Sequence, residues 1–187
     1  MAYTPDKSTI DAFLAHFTAM NGFQQPNRFR IEIRPPIGLA EYSNIPIFAT
    51  SIQTPTQGLI FFEDTVSPSG PAINVPVKRS YDERFLIEFI VDKDWKIRTL
   101  IDKWLDFAFL NTGNNNNFNN STRVKYWEDI VGEIDIYALD ANDKVNQTIT
   151  LHDAWPRQII PGQFATAATN TYSTLMVDFE YRYYKSK

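Results

Sequence analysis

The clearest pattern along the chain is strict alternation of apolar and charged positions. From Arg28 to Arg34, Phe29, Ile31 and Ile33 alternate with Arg28, Arg30, Glu32 and Arg34. That period of two predicts a strand with one buried and one charged face. Pro35-Pro36 stops it. Arg84 to Val91 repeats the pattern, with Phe85, Ile87, Phe89 and Val91 set against Arg84, Leu86, Glu88 and Ile90. The second set is half apolar, so both faces of this strand are expected to be partly covered. Ser173 to Tyr184 predicts one long final strand. Leu175, Val177, Phe179, Tyr181 and Tyr183 share one face, and Met176, Asp178, Glu180, Arg182 and Tyr184 the other. Weaker strand patterns cover Ile45 to Gln53, Ile130 to Leu139 and Gln147 to His152. The last two read as a hairpin turning at Asp140-Ala141-Asn142-Asp143.

Two stretches switch to the helical period. Thr9 to Ala19 carries Ile10, Phe13, Leu14 and Phe17, with Ser8 or Thr9 as cap and Asn21-Gly22 as terminator. A second helix, capped by Asp94, has Ile97, Leu100, Ile101, Trp104, Leu105 and Ala108 on one stripe. Such a stripe must lie on a sheet or on a neighbouring subunit. Pro55 to Pro76 is mixed. Leu59, Ile60, Phe61 and Phe62 are apolar, whereas Ser67-Pro68-Ser69-Gly70-Pro71 reads as a turn or exposed loop. Residues 111–122 are asparagine-rich and are expected to form a mobile surface loop. No repeat or linker divides the chain. The pattern predicts a single mainly β (α+β) domain over 1–187, with an N-terminal helical extension over 1–24 and a loop insert at 111–122.

Composition narrows the function classes. Among 187 residues, 43% are hydrophobic and 14% aromatic, which suits a strand-rich globular chain. The net charge of -4 argues against a dedicated nucleic-acid binder, which carries a basic excess. With no cysteine there can be no disulfide, thiolate nucleophile or cysteine-ligated metal. No apolar stretch is long enough to span a bilayer and the N-terminus lacks a signal pattern, so a soluble protein made in the cytosol is expected.

Catalytic and cofactor motifs are not found. The seven glycines form neither a Walker A nor a Rossmann loop. His16 and His152 lie far apart, and His152 beside Asp153 has no partnered nucleophile. Asp140 to Asp143 lacks the remaining ligand positions of a calcium loop. Glu133/Asp135 and Asp178/Glu180 share strand faces as a glycosidase pair would, yet any half-solvated strand produces such pairs. No catalytic residue, cofactor or metal is expected.

Four segments, in order, resemble the tail tube proteins of contractile-tailed bacteriophages. The first is Gln25-Pro26-Asn27-Arg28-Phe29 with Arg30-Ile31-Glu32-Ile33, similar to that family's Pro-Asn-x-Phe opening of its first strand. The second runs from Ile73 through Lys78-Arg79-Ser80-Tyr81-Asp82 into the strand at Phe85. The third is Lys103-Trp104-Leu105-Asp106-Phe107, and the fourth runs from Ile149 through Ala154-Trp155-Pro156 to Phe179-Glu180-Tyr181. Together they cover most of the chain from Gln25 onward. The N-terminal helix and the asparagine-rich insert depart from the family pattern.

The resemblance implies a small antiparallel sandwich or barrel flanked by one long helix. It implies homohexameric rings stacked into a tube that templates the sheath and conducts DNA without sequence-specific binding. Implied partners are further copies, the sheath, the baseplate and the tail terminator, with no membrane insertion. The implied location is the virion tail, assembled in the host cytoplasm. Related readings are a baseplate initiator or terminator paralogue, or an injection-system tube related to the type VI secretion ring proteins. A monomeric carbohydrate-binding or hydrolytic β-domain is the reading from another class. On the tube reading, Glu88, Glu133, Asp135, Asp178, Glu180 and Arg182 are candidates to face the lumen. An acidic wall there would repel phosphate and let DNA slide. Arg79, Tyr81 and Asp82, in a turn-like stretch, could reach the next ring. Leu59, Ile60, Phe61 and Phe62 are buried either against a neighbouring subunit or in the chain's own core.

Overall fold

A computed structural model describes residues 7–19, 24–43, 45, 47–64, 73–82, 84–110, 123–160 and 172–187. In chain order the elements are α1 (Lys7–Ala19), β1 (Phe29–Arg34), a 3-10 segment (Ile37–Tyr42), β2 (Ala49–Ile52), β3 (Gln57–Asp64), β4 (Ile73–Tyr81), β5 (Arg84–Ile90) and α2 (Lys96–Phe107). Then follow β6 (Phe109–Leu110), β7 (Arg123–Val124), α3 (Trp127–Ile130), β8 (Gly132–Leu139), β9 (Val145–Ile160), β10 (Thr174–Glu180) and β11 (Tyr183–Ser186). The expected insert at 111–122 lies outside the described residues.

Seven strands make one antiparallel sheet in the order β1-β8-β9-β10-β5-β2, with β11 also on β9. β9 is the spine. Its first part pairs β11, from Ile149↔Ser186 to His152↔Tyr183, and its second part pairs β10, from Trp155↔Glu180 to Ile160↔Met176. Its other edge carries β8. Inward residues of both halves meet in a single core: Ile31, Ile33, Ile134 and Leu151 from one half, Phe85, Ile87, Phe89, Val177 and Phe179 from the other. The expected antiparallel architecture with a flanking helix is present, but the sheet does not close into a barrel. β1 and β2 end it, and neither pairs with the other.

The open inner face is covered by α2. Ile97, Leu100, Ile101 and Trp104 fall on its buried side, at the spacing that puts them on one stripe. Trp104 is the pivotal residue. Its ring meets Phe179 edge to face at 6.4 Å, and its Nε1–H donates to the Ile130 carbonyl at 2.8 Å. Gly132 lets β8 pass beneath it, because a methyl group there would strike both the Trp104 ring and the Arg34 carbonyl. The helix is capped differently from expectation. Asp92 Oδ1, not Asp94, accepts from the Lys96 backbone N–H at 2.8 Å, while Trp95 takes a left-handed φ of 57°. Asp94 instead pairs with Lys96 Nζ at 3.3 Å.

Three further expectations change. The long final strand is interrupted at Tyr181–Arg182, opposite the part of β9 where Asp153 has a positive φ of 54°. Tyr183 is therefore not a core residue; it stacks on the His152 ring at 4.8 Å. The strand expected over Gln147 to His152 extends through Trp155-Pro156 to Ile160, so that this dipeptide lies within β9, ahead of the final strands. Pro156 has no N–H to offer the ladder, and the β9–β10 register shifts where it faces Phe179. Within the mixed stretch after Pro55, β3 and β4 form a separate ribbon, while the turn expected at Ser67 to Pro71 and the Asn21-Gly22 terminator lie outside the described residues.

Truncating Trp104 to alanine should cost about 3–5 kcal/mol by loss of packing. Phenylalanine there should cost about 1–3 kcal/mol, because the Ile130 carbonyl loses its donor. Gly132→Ala should also destabilise, by about 1–3 kcal/mol through overpacking. Urea denaturation of purified subunits measures all three, and a neutral Gly132→Ala would refute the close approach.

Candidate assembly surfaces

The β3–β4 ribbon runs from Gln57↔Tyr81 to Asp64↔Ile73 and has no strand of the main sheet beside it. Its register shifts between Ile60 and Phe61, where Pro76 occupies the opposite strand. Leu59, Ile60, Phe61 and Phe62 are 49%, 50%, 55% and 62% exposed, so they are not part of the chain's own core. Val75 and Val77 add to the exposed apolar surface. Contacts with the main sheet gather at the ribbon's base. There the Asp82 N–H donates to the Thr56 carbonyl at 3.2 Å, and the Tyr81 ring meets Tyr184 edge to face at 5.8 Å. Arg79 and Tyr81 lie in β4, in the ladder itself rather than in a turn, and Arg79 stands opposite Leu59. Only Asp82 is outside it. Two isolated strands are marginal in water, and a continuous exposed apolar patch marks an interaction site.

The six charged candidates occupy two different outward faces. On the β1–β8–β9 face, Asp135 is buried and accepts from Arg34 Nη2 and from Thr150 Oγ1 at 2.6 Å. Tyr137 Oη donates toward Asp135 and Glu32, at 3.3 and 3.2 Å. Burial first, then the charges of Asp135 and Glu32, raise the Tyr137 hydroxyl above its ordinary range. Arg34 also reaches Glu133 at 3.1 Å, and Glu133 holds His152 Nδ1 at 2.8 Å. The neighbour of His152 in sequence, Asp153, pairs instead with Arg182 at 3.4 Å.

Glu88, Asp178 and Glu180 stand on the outward face of β5 and β10, between core positions that alternate with them. Ser51 Oγ donates to Glu88 at 3.2 Å, and Asp178, buried, faces Arg157 at 3.6 Å. Glu180 lies opposite Arg84 in the ladder, beside a polar hollow shared with Tyr81, Asp82 and Arg157. The structure thus assembles no single acidic wall from the six. Sequence alternation identified which residues point outward but not their oppositely charged partners, since Arg34, Arg157 and Asp153 come from elsewhere in the chain.

At the ribbon's base Tyr181 is buried against Phe85, ring centroids 6.3 Å apart. Burial, and then the nearby Asp82 carboxylate, push its hydroxyl up to about 12.

The fold matches a chain of the anti-feeding prophage baseplate at a TM-score of 0.60, with 13% identity, covering 88% of this chain and 97% of that one. It matches a chain of the sheath-tube complex of an extracellular contractile injection system (PVC) at 0.57, also with 13% identity, covering 98% and 99%. The chain therefore shares its fold with chains of these two contractile assemblies. In sequence, the profile of the phage tail tube protein family matches residues 24–187. The tail tube protein of Serratia phage KSP90 is 26% identical over 177 residues, 93% of this chain and 94% of that protein. The chain belongs to the phage tail tube protein family.

Because the folded state holds Tyr181 neutral, an unfolded chain, whose tyrosines ionise near 10, gains charge first as pH rises. The stability from this group is complete below pH 10 and lost as pH climbs toward about 12. Tyr181→Phe should therefore flatten the alkaline loss of stability, followed by denaturation midpoints between these limits. An unchanged slope would show that the hydroxyl is not shielded.

Proposed function

We propose that this chain is the structural subunit of the inner tube of a contractile phage tail. Six copies close into a ring, rings stack into a tube, and the tube gives the sheath a template and DNA a path. The observation that carries this reading is the β3–β4 ribbon: four consecutive large apolar residues remain exposed on a chain whose own core is complete. A neighbouring copy covers them, and Arg79, Tyr81 and Asp82 at the same ribbon meet that neighbour. The family membership and the sheath-tube neighbour support the assembly, and the baseplate relative comes from a structure that was sixfold symmetrised. Sheath, baseplate and terminator are the expected partners, and the virion tail the expected place.

A second reading, a baseplate or terminator paralogue, is favoured by the likeness to the baseplate chain and to a chain of the anti-feeding prophage tube-terminating cap, TM-score 0.57 with 12% identity, covering 88% and 91%. Unaided polymerisation separates the two, since a tube subunit grows without limit and a paralogue stops at one or a few rings.

Negative-stain microscopy with light scattering should find six-membered rings or hollow tubes. The double variant Phe61→Asp, Phe62→Asp should keep the wild-type circular dichroism and remain monomeric. A wild-type chain that stays monomeric at high concentration overturns the reading and turns attention to sugar binding or hydrolysis.

For the lumen we assign the β5–β10 outward face, with Glu88, Asp178 and Glu180, and Arg182 at its margin. The β1–β8–β9 face, with Glu133 and Asp135, lies outside it. The chain has no native cysteine, so a single introduced one reports cleanly. In assembled tubes Glu180→Cys should react with a small maleimide and be shielded from a polymer-linked one wider than the bore. Glu133→Cys should react with both. The reverse pattern would exchange the two faces.

A further inference from the structure

The two ends of β1 carry complementary features that the tube reading does not yet use. At its first end the chain arrives from α1. Gln24 Nε2 donates to the Leu139 carbonyl at 2.9 Å, and the Arg28 carbonyl accepts from the Leu139 N–H at 3.0 Å. The connection from Ala19 to Gln24 spans at most about 18 Å when extended, so α1 leaves from this end of the sheet. Its Ile10, Phe13 and Leu14 are exposed, Phe13 to 64%. They stand at i, i+3 and i+4, the spacing by which a helix seats itself in an apolar groove.

About 20 Å away, at the other end of β1, lies a groove of about 950 Å³. It runs between the 3-10 segment after Pro36, the end of α2, the residues following β7, and α3. Its apolar contacts come from Ile37, Phe107, Val124 and Tyr126. Ile37 is 95% exposed and Tyr126 85%, which is high for large apolar side chains beside a concavity. The groove has a fixed floor. Gly38 packs so closely on the Phe107 ring that a methyl group would collide with it. Lys125 Nζ lies 3.0 Å from the centroid of the same ring. Glu128 and Asp129 supply a polar rim.

We infer that α1 of one copy docks in this groove on a second copy, Ile10, Phe13 and Leu14 packing on Ile37, Phe107, Val124 and Tyr126. This inference rests on the stacked-tube reading. The occupant is a second copy because Ile10, Phe13 and Leu14 stay exposed rather than lining their own chain's groove, and the chain enters the sheet at Gln24, the end of β1 away from that groove. Head-to-tail stacking brings those ends together, whereas a two-fold dimer would bring like ends together. The contact is heterologous and open-ended, so it adds to each ring interface along the tube. It also gives a role to an N-terminal helix that lies wholly outside the 24–187 region matched by the family profile.

The test is disulfide trapping in the full chain, which contains no cysteine of its own. Phe13→Cys combined with Ile37→Cys, assembled and then oxidised, should give a ladder of covalent dimers, trimers and higher species on non-reducing gels. Either single variant should give at most dimers. A monomer of shifted mobility without a ladder would mean that α1 folds onto its own groove, and would overturn the proposal. Tubes that form normally with no crosslink would also overturn it while leaving the tube reading intact; failure to form tubes at all would count against that reading itself. A second pair of variants guards against a trapping geometry that is slightly wrong. Phe13→Glu and Ile37→Glu should each raise the critical concentration for tube growth at least about tenfold, with circular dichroism unchanged. An unchanged critical concentration in both would sink the docking.

Discussion

Everything in this subunit depends on how an open sheet protects its inner face. A closed barrel would bury that face with its own strands. Here β1 and β2 remain apart, and α2 closes the core instead, with Trp104 reaching Phe179 on one side and the Ile130 carbonyl on the other. The close fit at Gly132 then fixes where β8 passes and where the chain turns from α3 into the sheet. Once α2 is seated, the internal requirement for burial is met. The exposed apolar groups on β3, β4, α1 and around α3 lie outside that core, and in the proposed tube they are the surfaces that other copies would cover.

The polar outward faces follow from the same economy. Charges on strands that are half-covered cannot be left bare, because an unpartnered buried carboxylate is costly. Asp135 illustrates this: it is nearly enclosed, and Arg34, Thr150 and Tyr137 all converge on it. Asp178 has Arg157 in the same way on the other face. These pairs neutralise much of the local field. A lumen lined by the β5–β10 face would then present discrete, compensated charges rather than a uniformly acidic wall, and repulsion of DNA would come from the less compensated Glu88 and Glu180.

Alternation made the main strands legible. Arg28 to Arg34 and Arg84 to Val91 appear almost as read, because each buries one face and so must keep the period of two. The stripe from Ile97 to Trp104 is likewise a helix buried on that side. What the sequence hid were decisions made by partners distant along the chain. β3 has four apolar residues on successive positions, and among the described residues neither ribbon strand has a buried face, so the pattern did not show that they pair as a ribbon. The break after Tyr181 follows from the left-handed Asp153 across the ladder, which no local pattern in the last strand reveals. The cap at Asp92 depends on Trp95 adopting positive φ, an unusual choice for a bulky residue. Of the candidate surface, the apolar run Leu59 to Phe62 was readable as something needing cover. That its cover is not the chain's own core required the three-dimensional structure.

The distribution of exposed apolar surface also argues for direction in assembly. A subunit that only dimerised would need one patch, self-complementary about a two-fold axis. This one has a projecting ribbon, an apolar helix leaving one end of β1, and a preformed groove at the other end. The helix and the groove are complementary rather than alike, so each finds its partner on a different part of a neighbouring copy in the proposed tube. Unlike surfaces on one chain enforce heterologous contacts, which close into rings when the rotation returns to its start and extend indefinitely when it does not. A tube needs both kinds at once. The ribbon and the helix belong to different parts of the fold, and in the proposed tube that separation would let one contact close each ring while the other links it to the next.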